Sequence, residues 1–583
     1  MSRTRSIRGS LAVAIASLTA FAAATMGAVP GSGLTNASAA ASQHVVKYVK
    51  AVPVCKAPQA GHARCFGMRL VEVKTGTPGA RAMTVQPGYA TGPAGGFTPA
   101  DLAKAYAVNP AATTTTTVGI VDAYNDPNAL TDLNTFNAHY GLAAETSTSF
   151  KKVSQTGSTT VLPVANSGWA AEESLDLDAV RGLCKACKII LVEANSNSWS
   201  DLAAAENEAV KLGANVISNS YGGAESGAIP SSILSAYTHA GVVITASTGD
   251  HGMFDWDNYN AGGVSSNAPS IPSSLNTVVA VGGTTMYLNS DATRSAETVW
   301  NENGSSDVTG YYAGSMGATG GGCSTQVTGQ LWQRAVSNYS QTTCGSRRLA
   351  ADIAALADPF TGYDIYDTYG YAGWMTFGGT SLASPLIAAM WGLAGGSGGV
   401  ANPSLSLYGH FKSDTSHPLY DVTAGGNGLC DGTPAAACQN FIGGPPNTLG
   451  YGTLDCAWLA GSATLAAGTR ECDAATGYDG PSGVGTPIGL NSFKAMGPTA
   501  KVTLPASVTH AVSASFSGST STDPFPGGTI TTYAWTFGDG GTASSASSST
   551  SHTYAAAGTY SLTLKVTDNY SRTGSVTVSV VVK

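Results

Sequence analysis

Charge is scarce in this 583-residue sequence. Only 11% of residues are Asp, Glu, Lys or Arg, against the usual quarter of a soluble domain. The 28 basic and 36 acidic residues leave a net charge of −8 and no basic patch. Nucleic-acid binding is therefore not expected. A surface with so few charges changes little as pH falls, which suits an acidic exterior. Histidine is also sparse: nine in all, none in a His-Gly-Thr context. After the N-terminal stretch there is no further run of 18 apolar residues, so no membrane span is expected beyond it. What is abundant is apolar: hydrophobic residues are 43% of the chain. That is enough for a sizeable core, and the length implies more than one domain.

The N-terminus reads as an export signal. Arg3, Arg5 and Arg8 precede an apolar stretch from Leu11 to about Val29, and Ala37-Ser38-Ala39-Ala40-Ala41 offers a cleavage region. Residues 1–41 are accordingly assigned as a signal peptide, and the protein is expected to be secreted and extracellular, with no membrane association once the signal is removed. An uncleaved anchor is the alternative. The ten cysteines, Cys55, Cys65, Cys184, Cys187, Cys323, Cys344, Cys430, Cys438, Cys456 and Cys472, are even in number, and in an exported protein the default is disulfides. Pairing neighbours gives five short loops. Cys184-Lys185-Ala186-Cys187 has redox-motif spacing but is read as a small structural disulfide. A zinc site would need a second pair at ligand spacing.

Residues 42–96 read as a short irregular N-terminal region. From Phe97 strands and helices alternate. Thr116–Val121, Lys188–Val192, Val216–Ser218, Val242–Thr245 and Val278–Val281 are short apolar strands, and Ala129–Tyr140 and Leu202–Leu212 have helical spacing. This pattern predicts an α/β fold with a doubly wound parallel sheet over residues 97–497. Active sites of such sheets lie beyond the carboxyl ends of the strands. Asp122, Ser218–Gly223 and Asp250 fall there. From Pro498 the composition shifts to Thr, Ser and Val in alternating strands, predicting a small all-β, immunoglobulin-like sandwich over 498–583. Its Trp535-Thr536-Phe537-Gly538-Asp539-Gly540 and its Gly558–Asp568 stretch closely resemble the PKD (polycystic kidney disease) domain.

Three local patterns carry chemistry. Gly378-Gly379-Thr380-Ser381-Leu382-Ala383-Ser384-Pro385 precedes an apolar helix-forming run. A glycine turn into a helix would present Ser381 at the N-terminus with an exposed hydroxyl, and its own N–H could face an oxyanion. Pro385 is expected in the first turn, where its missing N–H costs nothing. Ser384, deeper in the helix, is the weaker nucleophile candidate. In Trp169–Val180, a helix would place Glu172 and Asp176 one turn apart on one face, while Glu173 would have no such partner. Two close carboxyls repel, so one keeps its proton and the other can act as a base. A solvated acidic helix face has the same pattern. Ala246–Gly252 follows a buried strand and carries Asp250, which when protonated can donate to an oxyanion.

Together these patterns resemble the sedolisin family, serine-carboxyl peptidases related to subtilisin, from about Phe97 to Phe493. The resemblance makes Glu172 the base, Asp176 its orienting partner, Asp250 the oxyanion donor (with Thr248 where the family has serine) and Ser381 the nucleophile. Val121–Asn128 and Ala357-Asp358-Pro359 also look like family segments. It implies a subtilisin-like fold, protein or peptide substrates and one structural calcium ion. The calcium ligands would be Asp421, Val422, Ala475, Gly477 and Asp479, with Ala475 in place of a glycine. Family precursors carry a long folded prosegment, whereas here only residues 42–96 precede the domain. A carboxyl mechanism implies endopeptidase activity at about pH 3–5. Rival readings are a triad of Asp122, His251 and Ser381, and a secreted binding protein that keeps the fold without activity. The C-terminal domain is either a spacer or a binder of proteinaceous substrate. A monomer is the default.

Overall fold

The computed structural model describes residues 47–583 apart from 57, 60, 76, 78–80, 84–91, 226–228, 254–268, 302–316, 414–417 and 428–468. The proposed signal and Cys430, Cys438 and Cys456 lie outside the described residues. The first half of the described chain contains β1 (Lys47–Pro53), β2 (Arg64–Cys65), β3 (Met68–Glu72), β4 (Arg81–Met83), α1 (Pro99–Ala105), β5 (Thr117–Ala123), α2 (Ala129–His139), β6 (Phe150–Ser154), α3 (Ser167–Leu183), β7 (Lys188–Ala194), α4 (Trp199–Lys211), β8 (Val216–Asn219), β9 (Tyr221–Ala224) and α5 (Ser231–Ala236). There follow β10 (Val243–Ser247), β11 (Ser270–Ile271), β12 (Val279–Leu288), β13 (Arg294–Val299), β14 (Gly322–Thr328), α6 (Leu331–Arg334), β15 (Arg347–Ala350), β16 (Ile353–Leu356), β17 (Tyr363–Asp367), β18 (Gly373–Gly378), α7 (Thr380–Leu393) and α8 (Ser404–Ser413).

The central sheet runs β13-β12-β10-β8-β5-β7-β6, with β16 beside β12. Every pair in it is parallel except β12–β13. The apolar strands form it because both faces are covered. Val118 and Ile120 of β5 point into the core shared with α3 and α7, while Val121 and Ala123 point into the core shared with α4 and α5. Each fully buried aliphatic side chain contributes about 1.5–3 kcal/mol. By the same alternation Asp122 faces the α3 and α7 side, where burial and, next, the charges of Asp176 and Glu172 push its pKa well up.

The N-terminal region is not irregular. β1, β3 and β4 form one sheet with β17 and β18, in the order β17-β18-β3-β1-β4. β3 meets β18 at Met68 opposite Gly378 and Arg69 opposite Phe377. Strands this short, paired with residues some three hundred positions away, leave little local signal. Three of the neighbour disulfides form: Cys55–Cys65, Cys184–Cys187 and Cys323–Cys344. Cys472 is also disulfide-bonded.

The C-terminal segment is all β, with Ile530–Thr536 between Thr542–Ser545 and Gly558–Asp568, and Thr573–Val582 outside. Ala514–Ser517 pairs separately with Ser549–His552. Its own core centres on Phe516, Trp535, Phe537 and Tyr554. It also packs on the α/β body. The Phe525 ring lies against Gly409 of α8, where a Cβ would approach it to 2.7 Å. Tyr570 meets Trp332 of α6 edge-on, with centroids 5.6 Å apart. No helix among the described residues is long and apolar enough to cross a membrane.

Candidate active site

Gly379 has φ +90°, a conformation that only glycine adopts readily. The turn it makes starts α7 at Thr380 and places Ser381 in the first turn. Pro385 is not in that turn. It is the sixth helical residue, so it denies the Ser381 carbonyl its helical donor. The Ser220 hydroxyl lies 3.2 Å from that carbonyl. Ser384 is a core residue, its hydroxyl 3.1 Å from Ser218 Oγ and 2.9 Å from Thr245 Oγ1. The Ser381 hydroxyl donates to the Ser220 carbonyl at 3.1 Å. Contrary to expectation it is not exposed: Ser381 is fully buried. Part of its cover is residues 64–67, whose Phe66 N–H lies 3.1 Å from Ser381 Oγ.

α3 is capped by Asn166, which accepts from the N–H groups of Gly168 and Trp169 at 3.0 and 3.2 Å. It is not a solvated acidic helix: Glu172, Glu173, Asp176 and Asp178 are all buried. Asp176 accepts from the Ser220 hydroxyl at 2.7 and 2.9 Å. Neither carboxyl oxygen of Glu172 has a hydrogen-bond partner of ordinary geometry among the described residues, although the Ser381 hydroxyl and Gly67 N–H lie close. Burial and, next, the Asp176 charge push its pKa well up. The nearby Ser381 hydroxyl and Gly67 N–H work against that rise. Burial likewise raises Asp176, with the Ser220 hydroxyl opposing. The two carboxyls of such a pair titrate together, so the first proton taken up belongs to the pair.

Asp250 follows β10 and is tied to the nucleophile's turn. Its Oδ1 accepts from Thr380 N–H at 2.7 Å and from Thr380 Oγ1 at 2.9 Å. Thr380 Oγ1 in turn accepts from Gly249 N–H at 3.1 Å. Asp250 Oδ2 is directed at Gly379, where a Cβ would approach it to 2.7 Å. Glu172, Asp176, Asp250 and Ser381 thus converge beyond the carboxyl ends of the central strands. Thr380 and Ser220 were not singled out by sequence. Their only signals were adjacency to Ser381 and a position after β8. His251, the base of the rival triad, lies with Nε2 3.1 Å from Arg64 Nη1.

Glu173 points elsewhere. Burial raises its pKa well up, followed by the charges of Glu193, Asp126 and Asp122. Neither of its oxygens is hydrogen-bonded among the described residues. The cation in this cluster is Lys152, 3.1 Å from Glu193.

The five residues assigned to calcium lie close together. Asp421 accepts from Gly477 N–H at 3.1 and 2.9 Å. Asp479 accepts from Ala475 N–H at 3.0 Å and from Ser482 N–H and Oγ at 3.0 and 2.7 Å. Burial, with Asp421 adding its charge, pushes Asp479 to about 8. Two carboxylates and the carbonyls of one loop make a hard oxygen donor set that fits a divalent cation. Arg470 is a competing cation, with Nη1 3.3 Å from the Ala475 carbonyl. A second grouping, Cys323, Cys344 and Glu471, offers no thiolate, because the cysteines are bonded to each other.

Residues 110–396 match the Subtilase family, and residues 495–583 match the PKD domain. Sedolisin of Pseudomonas sp. (strain 101) is 31% identical over 382 residues, covering 64% of this chain and 62% of that protein. Xanthomonalisin of Xanthomonas sp. (strain T-22) is 32% identical over 396 residues, covering 61% and 45%. The chain therefore spans less than two thirds of the length of these curated relatives. The solved structure of Pseudomonas sedolisin, a serine-carboxyl proteinase complexed with two molecules of pseudo-iodotyrostatin, aligns at TM-score 0.51 and 29% identity. It covers 68% of this chain and 96% of that one.

Proposed function

From this similarity to sedolisin, with a PKD domain at the C-terminal end, we propose that the chain belongs to the sedolisin family and is a secreted endopeptidase that hydrolyses proteins at acidic pH. The observation that carries the reading is the convergence of one hydroxyl and three carboxyls. Glu172 lies beside the Ser381 hydroxyl from α3, Asp176 is joined to the Ser381 carbonyl through the Ser220 hydroxyl, and Asp250 holds Thr380, the residue before it, from the end of β10.

In this mechanism Ser381 Oγ attacks the scissile carbonyl and Glu172 takes its proton. Asp176, fixed by Ser220, lies one helical turn along from Glu172 and tunes its proton affinity through its charge. Asp250, protonated, and the Ser381 N–H donate to the oxyanion. Loss of one such donor costs roughly 10²–10³ in rate in the subtilisin case. The base must be ionised while Asp250 keeps its proton, so activity is bell-shaped in pH and confined to the acid side. Asp421 and Asp479, with the carbonyls of Val422, Ala475 and Gly477, would hold a calcium ion. The ion would neutralise the buried Asp479 and the half-buried Asp421 and fix the loop.

The test is cleavage of a denatured protein from pH 2.5 to 8, with Ser381→Ala in parallel. Acid-only cleavage that the variant lacks supports the reading. Cleavage that stays flat to pH 8 contradicts the carboxyl mechanism. A folded, calcium-loaded protein with no cleavage at any pH supports the binding-protein reading.

A further inference from the structure

The cover over Ser381 has the geometry of a bound peptide. β2 runs antiparallel to β9, with Arg64 opposite Gly222 and Cys65 opposite Tyr221. The next N–H, that of Phe66, is 3.2 Å from the Ser220 carbonyl and 3.1 Å from Ser381 Oγ. This is strand addition to an exposed edge, a general mode of peptide recognition. The Phe66 carbonyl oxygen lies over Gly379, on the side that Asp250 Oδ2 faces: a Cβ on Gly379 would overlap that oxygen. The following residue, Gly67, lies against Glu172, and a Cβ there would overlap Glu172 Oε2. One peptide bond, Phe66–Gly67, therefore has a nucleophile beside it. An acid side chain faces its carbonyl oxygen, and a proton carrier sits at its nitrogen.

The segment is held firmly. Phe66 is 2% exposed, and its ring packs on Gly222 and Gly249, where Cβ atoms would approach it to 2.7 and 3.5 Å. Cys55–Cys65 closes the loop on one side. Val54 N–H donates to the Gly67 carbonyl at 3.0 Å on the other. Beyond Gly67, β3 is built into the sheet beside β18, which leads directly to Gly379.

We propose that Phe66–Gly67 is this chain's own first substrate. Residues 64–67 fill the cleft of the newly folded protein in extended form, and Ser381 cuts that bond within the same molecule. The inference rests on the peptidase reading above. The step balances with water as the only co-reactant. Ser381 Oγ bonds to the Phe66 carbonyl carbon, and its proton passes through Glu172 to the Gly67 nitrogen as the C–N bond breaks. Water then hydrolyses the ester, leaving a Phe66 carboxylate and restoring the Ser381 hydroxyl. The pocket that Phe66 vacates favours an aromatic side chain on the amino side of the bond cut. The fragment ending at Phe66 stays paired through β1 to β3 and β4, so it leaves more slowly than the bond breaks.

The test takes full-length wild-type protein and Ser381→Ala, brings both to pH 4, and follows intact mass and N-terminal sequence. The expected result is a new N-terminus at Gly67 in the wild type only, at a rate independent of protein concentration. Phe66→Asp should slow this at least tenfold and Phe66→Tyr should not, which separates pocket fit from misfolding. Cleavage of an added denatured protein while Phe66–Gly67 stays intact overturns this proposal and leaves the peptidase reading standing. A rate that rises in proportion to concentration overturns the same-molecule step. Absence of both self-cleavage and cleavage of the added protein overturns the peptidase reading itself.

Discussion

Thr380 grips Asp250 twice, through its N–H at 2.7 Å and its hydroxyl at 2.9 Å. The residue before the proposed nucleophile thus fixes the acid proposed to face the oxyanion. Removing the hydroxyl alone should be visible. Thr380→Val is expected to lower kcat about ten- to thirtyfold, the worth of a hydrogen bond to a charged or proton-sharing group of about 1.5–2 kcal/mol. Thr380→Ser should stay within a factor of two or three. Equal losses in both variants would point to packing instead.

Much of this arrangement was legible beforehand. The continuous apolar runs of β5, β7 and β10 announced a parallel sheet, and strand ends located Asp122 and Asp250. Glu172 and Asp176 were one turn apart in a segment read as helical, with a solvated acidic face as the alternative. What local pattern could not reveal was long-range pairing. β3 finds β18 across three hundred residues, and the five-residue stretch Ala63–Gly67 carries no strand periodicity of its own. The exposed Ser381 expected from its turn failed for that reason. Pro385 was misplaced because the helix starts at Thr380, immediately after the Gly379 turn.

Glu172 and Glu173 are adjacent but serve different neighbourhoods. Glu172→Gln should reduce kcat by roughly 10²–10⁴, the range for a lost general base. Glu173→Gln should leave kcat within a few-fold. It should also raise the melting temperature at pH 7, because a buried acid without hydrogen bonds becomes a neutral amide. A melting temperature at pH 7 that fails to rise would contradict the burial argument.

Stability should fall as pH rises. Burial pushes Asp126 to about 6, Glu193 and Asp367 to about 7 and Glu206 to about 8. Lys152 opposes the rise at Asp126 and Glu193, and Asn219 opposes it at Glu206. In the unfolded chain such groups titrate near 4. The folded state therefore binds more protons between pH 4 and 8. Its advantage is complete below pH 4 and is lost as pH climbs through each folded value. Each group contributes up to about 1.4 kcal/mol per pH unit inside its window. Calorimetric midpoints from pH 4 to 8 should decline throughout; a maximum at pH 7 would refute this.

Calcium removal gives a separate handle. A chelator at pH 5 should lower the melting temperature by several degrees, as expected when a ligand that binds only the folded state is withdrawn. Asp421→Asn should show the lowered value from the start and little further response. An unchanged wild-type midpoint would exclude a structural ion at this site.

His251→Ala should retain most of the acid cleavage, since the imidazole faces Arg64. Complete loss, with the fold intact by circular dichroism, would revive a histidine base.

Phe525 and Tyr570 seat the C-terminal sandwich on α8 and α6. A unit fastened this way does not swing on a string. Whatever adheres to its outer strands is presented to the cleft at one distance and one angle, so fibres or aggregates would be approached from a preset direction. Loosening the seat, by Phe525→Ala, should then cost nothing on small soluble peptides and show itself only on insoluble protein.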